Sequence, residues 1–219
     1  MKKIIVLSLF AGLFFAGCKK DPTVVSSTVE VSYPTITITG NPYYSIQVNG
    51  GLPSIQATAY DSVLRTPCTV ILDQSSLDNT TPGLYTVTAS AKNKYGMTTY
   101  KTVFVGVTNV PATLDVSGIY FRSANPNKVA NVTKLATGMF MTDNVGGVDI
   151  VAAPGSVFSA VFVVTSNTTL TFGSQQISPG TLTSASETLN LATPITFSYI
   201  IPSLPNTFSQ TAVRTFVHQ

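Results

Sequence analysis

Tryptophan is absent from the 219 residues, histidine occurs once, cysteine twice, and charged side chains make up only 10%. Each shortage excludes something. The single imidazole is His218, one residue from the end, so neither a Ser-His-Asp site nor a histidine-based zinc cluster has the material it needs. His218 itself reads as a solvated terminal residue. A charge content of 10%, against about 25% in ordinary globular chains, leaves no basic face for nucleic acid. Setting Lys2 and Lys3 aside leaves ten basic side chains against nine acidic ones, so the remainder is close to neutral. No Gly-rich phosphate loop leads into a helix. The nine carboxylates are scattered, and in the second half a glycosidase pair would have to come from Asp115, Asp143, Asp149 and Glu187. The expectation is therefore no catalytic residue, no resident metal and no cofactor.

What is present begins with Lys2 and Lys3, an apolar run from Ile4 to Phe15, and then Phe15-Ala16-Gly17-Cys18. The order of positive charge, apolar stretch and small residues is that of a signal peptide over residues 1–17, ending in a lipobox. The run is shorter than the roughly 20 residues that span a bilayer. Small Ala16 and Gly17 let the backbone enter a peptidase cleft, and the Cys18 thiol is the atom that accepts the diacylglyceryl group. At about 0.8 kcal/mol per buried methylene, two or three acyl chains hold a protein on a membrane essentially permanently. Residues 18–28 then read as the lipidated cysteine and a flexible tether. The lack of aspartate directly after Cys18 resembles lipoproteins sorted to the outer membrane, and the Lys19-Lys20-Asp21 run is compatible with its periplasmic or its cell-surface face. With Cys18 lipidated, no disulfide inside the chain is possible and core size must supply stability. Cys68 then reads as a small buried hydrophobe.

Beyond the tether, helical periodicity gives way to short alternating runs of Val, Ile, Thr, Tyr and Phe between Gly, Pro, Asn and Asp clusters, the pattern of antiparallel β structure. The spacing predicts first-half strands near 28–33, 35–39, 55–60, 69–72, 84–91 and 98–107. In Thr81-Pro82-Gly83-Leu84-Tyr85-Thr86-Val87-Thr88-Ala89-Ser90-Ala91, Tyr85, Val87, Ala89 and Ala91 share one face, and Thr86, Thr88 and Ser90 the other. Asn93 to Gly96 supplies the turn into the following strand. This unit resembles the bacterial immunoglobulin-like repeats of surface proteins, in which a Pro-Gly-x-Tyr-x-Val opening and an Asn-x-x-Gly turn lead to a Val-rich last strand. The resemblance implies an immunoglobulin-like sandwich over residues 29–109, without the inter-sheet disulfide of antibody domains. Asp61-Ser62-Val63 resembles the short O-glycosylation acceptor of such bacteria, with Ser62 as the acceptor; an ordinary turn is the competing reading.

Val110-Pro111-Ala112-Thr113 marks a boundary, and residues 114–219 form a second domain. Its strands are predicted near 128–135, 138–142, 157–164, 168–172, 188–192, 195–201 and 211–217, an antiparallel β-sandwich or small barrel. Gly118-x-Tyr120-x-Arg122, then Gly138-Met139-Phe140 and Asp143-Asn144-Val145-Gly146-Gly147, resembles the C-terminal domain of outer-membrane lipoproteins of Bacteroides-type bacteria. The better understood relatives in that neighbourhood hold glycans for an outer-membrane transporter. Sugar C–H faces stack on rings while hydroxyls bond Asn, Asp and Arg, which makes Tyr43, Tyr44, Tyr120, Arg122, Asp143 and Asn144 the ligand-contact candidates. The absent tryptophan counts against a flat sugar platform, and strand aromatics such as Tyr120 otherwise fill cores. The Asp143–Asp149 loop offers oxygen ligands for a hard cation but reads better as an Asx-type turn. The resulting expectation is an all-β, non-enzymatic, membrane-anchored envelope lipoprotein that binds polysaccharide or an outer-membrane protein. The alternative is a structural or adhesive surface protein that binds a protein partner.

Overall fold

The computed structural model describes residues 31–177, 180–204 and 211–219; the expected signal peptide, Cys18 and the whole of the expected tether lie outside them. Contacts set residues 32–219 apart as one compact unit, and every described strand belongs to it. Among the described residues there is no α-helix, and no helix is long and apolar enough to cross a membrane.

The first half contains β1 (Thr35–Ile38), β2 (Tyr43–Gln47), β3 (Ala57–Asp61), β4 (Thr66–Cys68), β5 (Val70–Asp73), β6 (Gly83–Lys92) and β7 (Thr98–Thr108). They form a three-stranded sheet, β1-β3-β4, and a four-stranded one, β2-β7-β6-β5, with one apolar cluster between them. The alternation in β6 dictates this: Val87, Ala89 and Ala91 are buried, while Thr86, Thr88 and Ser90 stay half-exposed on the other face. Cys68 packs against the same cluster. The 28–33 strand is not formed where it is described, since 31–33 are irregular, and the sequence pattern misses β2 altogether. β2 lies parallel to β7, pairing Tyr43 with Phe104 and Ile46 with Val107, and its partner is too distant in sequence to signal it.

The turn after β6 is held from inside. Asn93 Oδ1 accepts from Tyr95 N–H and Met97 N–H, each at 3.0 Å, and its Nδ2 donates to Asp61 Oδ2 at 2.9 Å. Asp61, fully buried, also receives Ser32 Oγ and the N–H groups of Val63 and Leu64. Burial by itself pushes this carboxyl upward, but the bonds from Leu64, Asn93, Ser32 and Val63 outweigh it and hold the group below the usual carboxylate value.

The second half contains β8 (Gly118–Arg122), β9 (Asn125–Ala136), β10 (Met139–Thr142), β11 (Ala160–Ser166), β12 (Thr169–Thr171), β13 (Gln175–Ile177), β14 (Gly180–Leu182), β15 (Ala185–Asn190), β16 (Thr196–Ile200) and β17 (Arg214–His218). Eight of these form one antiparallel sheet in the order β12-β11-β10-β9-β8-β17-β16-β15, and β13-β14 is a separate hairpin. The two edges of the large sheet approach each other: Leu189 N–H donates to Thr168 O at 2.8 Å, and Thr171 Oγ1 reaches Glu187 Oε1 at 3.4 Å. The sheet is thereby curled into a near-barrel, the second of the two architectures the pattern allowed. Its interior is aromatic, with Tyr120, Phe140, Phe162, Phe172, Phe197, Tyr199 and Phe216 all buried.

Sandwich and near-barrel are packed directly together. Leu84 from the first half joins Met139, Val161 and Val163 from the second in a third apolar cluster, against which Tyr43 and Phe104 rest. Thr108 Oγ1 donates to Val164 O at 2.5 Å, and Ser45 Oγ to Thr137 O at 2.6 Å. Gly106 makes this approach possible, because a Cβ there would lie 2.8 Å from Val163 Cγ2 and 3.0 Å from Met139 Cε.

Candidate functional site

Along β2 the period of two separates the neighbouring tyrosines. Tyr44 and Ile46 turn toward the sandwich core, whereas Tyr43 and Ser45 face the second half. Tyr43 stacks on Phe104 with ring centroids 5.9 Å apart and planes at 16°. Phe104 is half-exposed on the outer face of the β6–β7 ribbon, directly across from Thr86, with Thr102 across from Thr88. Ser174, Gln175 and Gln176, entering β13, form the opposite wall of a cleft of about 370 Å³. A smaller hollow of about 210 Å³ continues past Tyr43 and shares Phe104, Gln175 and Gln176 with it.

The polar groups of this cleft differ in freedom. Gln175 is buried and fully engaged: its Oε1 accepts from Val161 N–H at 2.9 Å, and its Nε2 donates to the carbonyls of Val161 and Phe172, each at 2.7 Å. It fixes the wall. Gln176 is exposed, and its amide donates to Thr181 Oγ1 at 2.6 Å. The outer face runs on along the ribbon through Ser90 and Tyr100, which pair across β6 and β7; Tyr100 is 70% exposed. At about 3.4 Å per residue, Phe104 and Tyr100 stand roughly 13–14 Å apart along one face. Rings alternating with hydroxyls over that length suit an extended polar chain with apolar faces.

A second cleft, of about 380 Å³, lies on the near-barrel and shares no lining residue with the first. Arg122, Lys128 and Arg214 line it together with Gly146, Gly147 and Asp149.

The sequence candidates are distributed unevenly between these places. Tyr43 belongs to the junction cleft and Arg122 to the cationic one. Tyr44 does not line either cleft, because its ring packs against the sandwich core. Tyr120 is corrected: it is fully buried, its hydroxyl donates to Val116 O at 2.8 Å, and burial foremost, with Asp115 second, pushes its pKa up. Asn144 is corrected likewise: it is fully buried, its amide donates to Val129 O and Val148 O, and its Oδ1 accepts from Val148 N–H, which is the turn reading of that loop. Asp143 lines neither cleft; it takes two bonds from Asn131, at 2.8 and 2.7 Å. Ser62 is exposed in the turn between β3 and β4. His218 is not a freely solvated terminal residue: it is half-buried in β17 with its ring edge-on to Tyr120 at 4.9 Å. Among the described residues no three His, Cys, Asp or Glu side chains gather as a metal site.

Phe104, Gln176, Lys128 and Arg214 escape the sequence reading. Phe104 alone left a trace there, as a large apolar ring on the hydroxyl-bearing face of an alternating strand.

A sandwich joined to a near-barrel through a shared apolar cluster places the chain among two-part all-β proteins. No known family model matches it, and no curated protein matches it. Among solved structures, a lipoprotein from Bacteroides thetaiotaomicron is similar at 18% identity and a TM-score of 0.37, over 85% of this chain and 100% of that one.

Proposed function

We propose that the chain is an envelope lipoprotein, anchored to the outer membrane through Cys18, that holds a polysaccharide without cleaving it, as an accessory to an outer-membrane transporter. The observation that carries the binding reading is the Tyr43–Phe104 stack opening onto a cleft walled by threonines and glutamine. Rings supply the apolar surface that sugar C–H faces seek, and hydroxyl and amide groups replace the water bonded to sugar hydroxyls. The anchoring reading rests on the sequence around residues 2–18. It predicts that labelled palmitate enters the full chain and that Cys18→Ser abolishes the label and releases the protein from the membrane fraction.

The binding reading is tested by affinity electrophoresis of the full-length lipidated protein in a polyoxyethylene detergent, through gels containing one polysaccharide each. Retardation by at least one polysaccharide is expected, and Tyr43→Ala should weaken it about tenfold, the equivalent of about 1.4 kcal/mol. Absence of retardation in every gel removes the glycan reading. A second reading, a protein-binding adhesive or structural role, draws on β5, an edge strand on which Ile71 is 66% exposed. Crosslinking in cells that joins β5 to an outer-membrane protein, with no polysaccharide retarded, would favour it.

A further inference from the structure

We propose that the cleft formed by Arg122, Lys128 and Arg214 is an anion site that takes a carboxylate or sulfate group carried on a saccharide. The saccharide part rests on the function proposed above; the anion part stands by itself. In a chain so poor in charge, three cations from β8, β9 and β17 converge on one cavity of about 380 Å³. Among the described residues Asp149 is the only acid lining it, and its Oδ1 is already taken by Val151 N–H at 3.0 Å and Ala152 N–H at 3.1 Å. No described carboxylate forms an ion pair with Arg122 or Lys128; Arg122 reaches only Val213 O, at 3.5 Å.

The positions are built. Gly147 has φ +56°, and a Cβ on it would collide with Arg122 Cδ and lie 2.7 Å from Arg122 Cγ. Glycine there leaves room for the arginine stem to lie on the backbone at the cleft wall. Arg214 is only 3% exposed. Burial foremost presses its pKa down; Tyr199 opposes this, and the positive charge of Arg122 adds a smaller push in the same direction as burial. Arg214 donates to Ala212 O at 2.9 Å and contributes charge to the cleft wall, while the planar Arg122 guanidinium can meet a carboxylate or sulfate through paired bonds. The cavity is larger than a bare ion requires, and Ala152, Ala153 and Ala212 add apolar lining, which suits the ring that carries the charge.

The test is calorimetric titration of the full-length protein in the same detergent with sodium glucuronate, glucose and inorganic sulfate, alongside protection of arginines from phenylglyoxal read by mass spectrometry. Glucuronate is expected to bind and glucose not. Its affinity should fall as sodium chloride rises, fall about tenfold in Arg122→Gln and about threefold in Lys128→Gln, and stay unchanged in Tyr43→Ala. Glucuronate should protect Arg122 while the exposed Arg65 reacts freely. If Arg122→Gln does not fold, the half-exposed Lys128→Gln and the protection pattern carry the test. Glucuronate binding that survives Arg122→Gln and Lys128→Gln, or no binding at all, overturns the site. Sulfate binding as tightly as glucuronate overturns its saccharide character. Loss in Tyr43→Ala alone overturns the separation of the two clefts. A failure of polysaccharide retardation leaves the glucuronate result standing, so the two readings fall separately.

Discussion

Phe197→Ala should lower unfolding free energy by about 3–5 kcal/mol, the usual range for a fully buried phenylalanine truncated to alanine. Phe197 is 1% exposed, and its ring lies within 4.9 Å of Tyr120, 5.1 Å of Phe216 and 5.8 Å of Phe162, centroid to centroid. The wall of the near-barrel cannot close inward over the lost ring, because its strands are tied edge to edge. The vacated volume therefore persists as a cavity and adds to the lost transfer term. In a chain of this size each kcal/mol moves the melting temperature by roughly 2–4 °C, so a fall on the order of 10 °C is expected. Calorimetry and urea titration check it, and a shift under about 2 °C would mean that the aromatic interior is far more plastic than its packing implies.

Gly106→Val is the second large effect, and it reads on function as well as stability. The new Cβ would meet Val163 Cγ2 at 2.8 Å and Met139 Cε at 3.0 Å. Met139 has a flexible end that can move aside, whereas Val163 is branched at Cβ and held in β11. A cost of about 1–3 kcal/mol is expected from overpacking. Because Phe104 lies two residues away on β7, the displacement also alters the junction cleft, so polysaccharide retardation should weaken while glucuronate binding in the other cleft holds. Val163→Ala makes room for the added side chain, and the double variant should recover much of both losses. Failure of that rescue would assign the effect to the backbone of β7 instead of to the junction.

The parts of this fold that were legible in the sequence are those whose cause is local. Val87, Ala89 and Ala91 against Thr86, Thr88 and Ser90 announce β6, and Asn93 to Gly96 announces its turn, because a half-buried strand and a tight turn each impose a pattern within a few residues. β2 was not legible, since it owes its existence to β7 some sixty residues on. Site residues suffered the same limit in both directions. Tyr120 and Asn144 carried suitable chemistry, yet one is enclosed by the barrel and the other satisfies the backbone of its own loop. Lys128 and Arg214 carried no motif, and only the pairing of β17 with β8 and of β8 with β9 brings them beside Arg122. A cleft assembled from separate strands has no sequence signature except composition, and a chain this poor in charge hides its cationic members among ordinary surface residues.

The place of β17 inside the eight-stranded sheet governs the order in which the near-barrel can assemble. Phe121 finds its partner in Val217, far along the chain, so β8 has no complete hydrogen-bond ladder until this distant segment arrives, whereas β16 meets β17 as its neighbour in sequence. Local hairpins such as β9–β10 and β15–β16 form early at little entropic cost, but the β8–β17 pairing that joins two ribbons into one sheet spans most of the second half. High contact order of this kind makes the final step slow and leaves two open edges waiting for it. A nascent chain on this plan stays unfinished, and therefore threadable, until residues 214–218 are in reach.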